Sequence, residues 1–165
     1  MAAPTAGLHL SAPVLERLTA RGIERAAVTL HVGPGTFLPV RHDDLQQHRV
    51  QAERFSIDSA TAATLSAARR EGRPIVAVGT TTTRVLETIG RGDIVAHTGA
   101  TDLTILPGHD FRLITGLMSN FHLPRSSLLV LVSAFLGRSR ALAAYNAAVA
   151  AGYRFYSYGD ATLML

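Results

Sequence analysis

The stretch Pro74 to Glu87, PIVAVGTTTTRVLE, decides the fold class. Pro74 to Val78 is a short apolar, β-branched run that reads as a buried strand. It passes through Gly79 into Thr80-Thr81-Thr82-Thr83-Arg84-Val85-Leu86-Glu87, which has the polar start and apolar continuation of a helix. Strand, tight turn and helix in immediate succession form the repeating unit of α/β domains.

Working outward, the flanks carry the same alternation. Upstream, Ser11-Ala12-Pro13 followed by Leu15 and Leu18 predicts a short capped helix ending at Gly22, and Ala27 to Val32 predicts a strand broken by Gly33-Pro34-Gly35-Thr36. Val50 to Ile57 predicts a second strand, and Asp58 caps a helix that reaches Glu71-Gly72. Downstream, Thr101 to Leu106 predicts a strand stopped by Pro107-Gly108. Leu128 to Phe135 reads as a buried helix, Ser139 to Ala151 as an alanine-rich helix broken at Gly152, and Tyr153 to Tyr158 and Thr162 to Leu165 close the chain. The expectation is a single α/β domain over residues 1–165, with a largely parallel or mixed sheet flanked by helices.

Composition narrows the class. With 165 residues and 47% hydrophobic content the chain can bury one sizeable core. The apolar run at Leu128 to Val132 falls far short of the ~20 residues of a membrane span. There is no cysteine and no basic-then-apolar leader, so thiol chemistry and secretion are not indicated and the cytoplasm is the default expectation. The net charge of +4 mildly favours a polyanionic partner, but all sixteen basic residues are arginine, a skew that resembles codon bias more than a phosphate-binding surface.

Several segments carry polar groups that a core does not need. Ser119 to Ser127, SNFHLPRSS, sets an amide, an imidazole and a guanidinium before a helix; Pro124 suits a first turn, so the exposed helix amides face Asn120, His122 and Ser126, where anions bind. At Thr80, Thr81, Thr82 and Arg84, hydroxyls and amides suit a phosphate, carboxylate or ribose; plain capping with an Arg84–Glu87 ion pair explains the same residues equally well. The P-loop spacing is missing. His31 stands beside a glycine loop as a pocket rim or a turn histidine. His48 and Glu53 lie on a strand whose alternation points Glu53 into a cleft or into water. Tyr153 to Asp160 surrounds Arg154 with tyrosines that suit base stacking or an edge strand, and Tyr158 and Asp160 are its candidate contacts for a base or ribose. The seven histidines, His9 and His42 among them, show no metal-ligand spacing, so no metal is expected.

Taken together, AAPTAGLHL (Ala2 to Leu10), VTLHVGPGTFLPV (Val28 to Val40), VGTTTTRVLE (Val78 to Glu87), TILPGHDF (Thr104 to Phe111), SNFHLPRSSLLVLVSAFLG (Ser119 to Gly137) and YRFYSYGDATLML (Tyr153 to Leu165) resemble the S-adenosylmethionine:tRNA ribosyltransferase-isomerases of queuosine biosynthesis. The resemblance implies transfer and isomerisation of the ribosyl moiety of S-adenosylmethionine onto 7-aminomethyl-7-deazaguanine at the tRNA wobble position. The product would be epoxyqueuosine-tRNA, with adenine and methionine released. It implies His9, His31, Glu53 and His122 in proton transfer or ribose contact, Thr80, Thr81, Thr82 and Arg84 in anion or ribose binding, and Asn120, Arg125, Ser126, Tyr158 and Asp160 in recognition of the co-substrate or target base.

The chain departs from the family's usual pattern at Leu10, Gln51, Ser119, Arg125, Ser127 and Thr162, and Gln51 removes a titratable group beside Glu53. The family also carries an N-terminal part and an inserted β-barrel ahead of AAPTAGLH, so the resemblance covers the C-terminal portion of the α/β catalytic domain. The partners it implies are S-adenosylmethionine as co-substrate, the tRNA bearing the deazaguanine, and the missing N-terminal portion where that is a separate chain; no membrane is implied. If the missing strands complete the sheet, an exposed edge would make the chain prone to aggregation or dependent on a partner. Two alternatives stay open: a non-catalytic remnant that keeps nucleotide or RNA binding, and a small phosphate-handling hydrolase built on the threonine turn.

Overall fold

The computed structural model describes residues 5–33 and 51–165. A 3₁₀ turn, Thr5–His9, leads into α1 (Ala12–Ala20), and β1 (Thr29–Leu30) precedes β2 (Glu53–Ile57). Next come α2 (Ser59–Arg70), β3 (Val76–Val78), α3 (Thr80–Ile89), β4 (His97–Thr101) and β5 (Gly116–Asn120), and α4 (Ser127–Leu136), α5 (Arg138–Ala150) and β6 (Ala161–Met164) complete the order.

The strands form two three-stranded sheets. One is antiparallel, in the order β1-β2-β4; the other has the order β3-β5-β6, with β3 parallel to β5 and β6 antiparallel to it. Of the two sheet types expected from the sequence, β3-β5-β6 is the mixed one, whereas the separate all-antiparallel β1-β2-β4 sheet is neither. The sheets alternate along the chain, since β4 of the first falls between β3 and β5 of the second. One core joins them: Phe55 and Ile57 from β2, Ala62, Leu65 and Ala68 from α2, Ala77 from β3, Val85, Leu86 and Ile89 from α3, Leu117 from β5 and Leu131 and Val132 from α4.

Local chemistry explains most boundaries. The Asp58 carboxylate accepts the Thr61 amide at 2.7 Å and starts α2. Ser126 does the same for α4 through Leu129 N at 3.2 Å. Gly79, at φ 94°, turns β3 into α3 in a conformation that disfavours any side chain. Along β2, Glu53, Phe55 and Ile57 are buried while Arg54 is exposed, so the period of two places Glu53 on the core face.

The structure differs from the sequence reading at several places. The strand expected at Thr101 to Leu106 is instead His97–Thr101. Past Thr101 the backbone finds other partners: Arg84 donates to the carbonyls of Leu103 (3.0 Å) and Thr101 (3.4 Å), and the Thr101 hydroxyl accepts Leu103 N at 3.2 Å. The strand expected over Ala27 to Val32 is reduced to Thr29–Leu30, and the one at Val50 to Ile57 begins at Glu53; Val50 itself, Pro34, Gly35, Thr36, His42 and His48 lie outside the described residues. Tyr153 to Tyr158 is a loop, with Tyr156 at φ 70°. In α4 only Leu131 and Val132 are buried, because the neighbouring elements cover only part of its apolar surface. Among the described residues no single helix is long and apolar enough to cross a membrane; α4 and α5 meet at 115°.

Candidate functional site

The carboxyl ends of the parallel strands β3 and β5 lie side by side, each followed by a helix N-terminus. Val78 runs through Gly79 into α3, and Asn120 runs through residues 121–126 into α4. In open α/β sheets this edge is where ligands bind, because backbone amides and side chains converge there. The antiparallel β6 brings Asp160 and Ala161 to the same edge, with Asn120 opposite Ala161.

Here the structure joins residues that are far apart in sequence. Asn120, 3% exposed, donates its amide nitrogen to His9 Nε2 at 3.2 Å across 111 residues, and to the carbonyl of Tyr156 at 3.2 Å. Its Oδ1 is buried and has no hydrogen-bond partner among the described residues. A buried carbonyl left in that state costs about 1–3 kcal/mol. Asp160 holds the adjoining loop: its carboxylate accepts Arg154 N at 2.7 Å and Arg154 Nη2 at 3.1 Å. These bonds, and then the charges of Arg154 and His9, keep its carboxyl below the usual range.

Beside them, Ser119 Oγ and His122 Nε2 lie 2.8 Å apart, both buried, and the His122 amide donates to the Tyr145 hydroxyl at 3.1 Å. Burial lowers the His122 pKa from 6.5 to about 4, so its imidazole is neutral at physiological pH. Burial also pushes the Tyr145 phenol up. The two non-glycine residues with positive φ among those described, Arg125 at 59° and Tyr156 at 70°, both sit in loops bounding this edge.

A second group surrounds Glu53. Its Oε2 meets Arg84 Nη1 at 2.6 Å and its Oε1 accepts Gly33 N at 2.7 Å. His31 N donates to Arg54 O at 2.8 Å, so the His31 to Gly33 segment is tied to β2 at both ends while the His31 side of it stays exposed. The ion pair expected between Arg84 and Glu87 is not formed. Arg84 turns to Glu53 because β2 presents that carboxylate on the core face, and Glu87 has partners of its own.

The remaining candidates are spread along the same edge. Thr80 is buried and Thr81 and Thr82 are half-buried in the first turn of α3. Ser126 is spent on capping α4, donating to Leu123 O at 2.7 Å as well. Arg125 and Tyr158 are exposed, Tyr158 at 95%, and neither is hydrogen-bonded to His9, Asn120, Glu53 or Arg84.

Some polar residues of consequence were not singled out from the sequence. Ser119 and Tyr145 hold His122. Glu87, 1% exposed, accepts the consecutive amides of Arg112 (2.9 Å), Leu113 (3.1 Å) and Ile114 (3.0 Å), and His109 Nε2 lies 3.3 Å from it. The signal for Glu87 was its place among the inward positions of α3, where Thr83, Val85, Leu86 and Ile89 are also buried. Among the described residues no three His, Asp or Glu side chains converge as a metal site would require.

Comparison with known proteins gives this arrangement a context. The family model described as queuosine biosynthesis protein matches residues 1–164. An S-adenosylmethionine:tRNA ribosyltransferase-isomerase of Anaeromyxobacter dehalogenans (strain 2CP-C) is 61% identical over 165 residues, covering 99% of this chain and 48% of that protein. Its counterpart in Moorella thermoacetica is 54% identical, again over 99% of this chain and 48% of the relative. The crystal structure of an S-adenosylmethionine tRNA ribosyltransferase from Thermotoga maritima has the same fold, with a TM-score of 0.81 and 42% identity over 97% of this chain and 51% of that one. The chain spans about half the length of the relatives it matches.

Proposed function

The chain belongs to the queuosine biosynthesis protein family, and from that membership we propose that it forms the C-terminal portion of the α/β catalytic domain of an S-adenosylmethionine:tRNA ribosyltransferase-isomerase. In this reading the ribosyl moiety of S-adenosylmethionine moves onto 7-aminomethyl-7-deazaguanine at the tRNA wobble position and rearranges, giving epoxyqueuosine-tRNA, adenine and methionine. The compartment is the cytoplasm and the partners are the tRNA and S-adenosylmethionine, with the N-terminal portion joining where it is a separate chain.

The observation that carries this reading is the meeting of His9, Asn120 and Asp160, contributed by three separate signature blocks, at the carboxyl ends of β3 and β5. A ribosyl transfer from a sulfonium needs a base for a proton near the sulfur, hydrogen bonding to the departing adenine, and polar anchors for ribose and the methionine carboxylate. His122 is neutral above about pH 4, so its ring offers the site a polar contact that carries no charge. The hydroxyls of Thr80, Thr81 and Thr82 and the first amides of α3 suit ribose or carboxylate. Glu53 and Arg84, locked together, serve the site by fixing the segment that carries His31, while exposed Tyr156 and Tyr158 offer stacking faces to RNA.

The test is incubation of the chain with S-adenosylmethionine and tRNA bearing the aminomethyl deazaguanine, following adenine release. Adenine release that requires both substrates is the expected result. No adenine with tRNA binding intact would reduce the chain to a binding remnant. In a complete enzyme, His122→Ala should lower turnover at least about tenfold, whereas wild-type turnover would make His122 purely structural.

A further inference from the structure

Asn120 is buried, yet only half of its amide is satisfied. The nitrogen faces the Tyr156 carbonyl at 3.2 Å and His9 Nε2 at 3.2 Å. A carbonyl oxygen can only accept, so Tyr156 fixes which end of the amide is which; the opposite orientation would set two acceptors against each other. It follows that Nδ2 also donates to His9, that His9 Nε2 carries a lone pair, and that the proton of the neutral ring sits on Nδ1. On the other side of the same amide, Oδ1 has no partner among the described residues.

We infer that Asn120 has two linked duties: it is the positioning residue that holds His9 as the Nδ1–H tautomer, and its Oδ1 is the acceptor for an N–H group of the bound ligand. This inference rests on the reading of the site as one for S-adenosylmethionine. A buried carbonyl acceptor calls for a ligand N–H. S-adenosylmethionine has two such groups, the adenine 6-amino group and the α-ammonium. A ligand without an N–H would leave Oδ1 unpaired, and discrimination arises from that penalty.

Two measurements on the 165-residue chain test the two duties separately. Nitrogen-15 NMR of the His9 ring at about pH 8, where an ordinary imidazole is neutral, should show the Nδ1–H tautomer. Asn120→Asp should convert His9 to Nε2–H, because a carboxylate can only accept. An Nε2–H tautomer in the wild-type chain overturns the inference whatever the binding data show. Calorimetric titration then compares S-adenosylmethionine with its 6-oxo analogue and with the analogue bearing a hydroxyl in place of the α-amino group. A loss of at least about tenfold, one hydrogen bond's worth, with the first analogue assigns Oδ1 to adenine, and with the second assigns it to the ammonium; Asn120→Ala should erase whichever preference exists. Equal binding of all three compounds overturns the acceptor role. If none of the three binds while His9 keeps the expected tautomer, the S-adenosylmethionine reading fails and the acceptor role falls with it, and the positioning role stands.

Discussion

Glu53 and Arg84 meet at 2.6 Å with side chains only 3% and 4% exposed, which makes this the most deeply buried Glu–Arg ion pair among the described residues. The pair is enforced by strand alternation, since Glu53 shares the core face of β2 with Phe55 and Ile57, and it spans the β2 strand and the α3 helix. Removing one member leaves a charge in a place without water. Arg84→Met or Glu53→Gln should therefore cost roughly 3–5 kcal/mol in chemical denaturation. The double variant should cost less than the sum of the two, and strictly additive losses would show that the charges do not depend on one another.

Glu87 gives a second prediction. Its carboxylate gathers three successive amides of residues 112–114 just before β5. Glu87→Ala should destabilise the chain by about 3 kcal/mol or more, since charged hydrogen bonds are lost and buried donors orphaned. Hydrogen exchange at Leu113 and Ile114 should accelerate out of proportion to the global change. Unaltered protection there would mean that the loop is held by packing alone.

His122 predicts a pH dependence of stability. Its pKa falls from 6.5 in the unfolded chain to about 4 in the fold because burial disfavours the imidazolium. Between those values the unfolded state binds the extra proton, so the contribution is complete above about pH 6.5 and drains away as the pH falls towards 4, by up to about 3 kcal/mol in all. Denaturation at intervals through this window should show His122→Gln losing less stability on acidification than the wild-type chain. Parallel curves would contradict the shift.

Gly159 predicts a backbone effect. A Cβ there would collide with the Arg154 carbonyl and the backbone of Phe155, in the loop that carries Asp160 and the Tyr156 carbonyl. Gly159→Ala should lower stability by about 1–3 kcal/mol, and it should also move the Asn120 and His9 side-chain resonances in NMR spectra. A variant with wild-type resonances would show that the loop absorbs the methyl group without shifting the site.

Much of the fold was legible wherever a local rule sufficed. Pro74 to Glu87 announced β3, the Gly79 turn and α3, and Asp58 caps the helix that its position suggested, whereas α4 starts at Ser127 behind a Ser126 cap and leaves Pro124 ahead of the first turn in which the sequence placed it. What escaped depended on partners distant in sequence. Gly116 to Asn120 has a glycine at one end and two polar residues at the other, and becomes a strand because β3 and β6 bond it on both sides. Thr101 to Leu106 has good strand residues, yet Arg84 takes its carbonyls. The site divides the same way. His9, Asn120 and Asp160 could be picked out by chemistry and by resemblance, but no spacing reveals that Asn120 bridges His9 and Tyr156, or that Glu53 spends its charge on Arg84.

The alternation of the two sheets along the chain governs how this molecule can be taken apart. Because β4 falls between β3 and β5, a cut anywhere from Asp58 to Ala96 would separate β2 from β4, and many of the same cuts would also part β3 from β5. Neither sheet corresponds to a contiguous piece that could assemble ahead of the other. Folding must then close long loops before either ladder is complete, which favours a slow, all-or-none transition over stepwise assembly. The edge that carries His9, Asn120 and Asp160 thus depends on contacts that span nearly the whole chain.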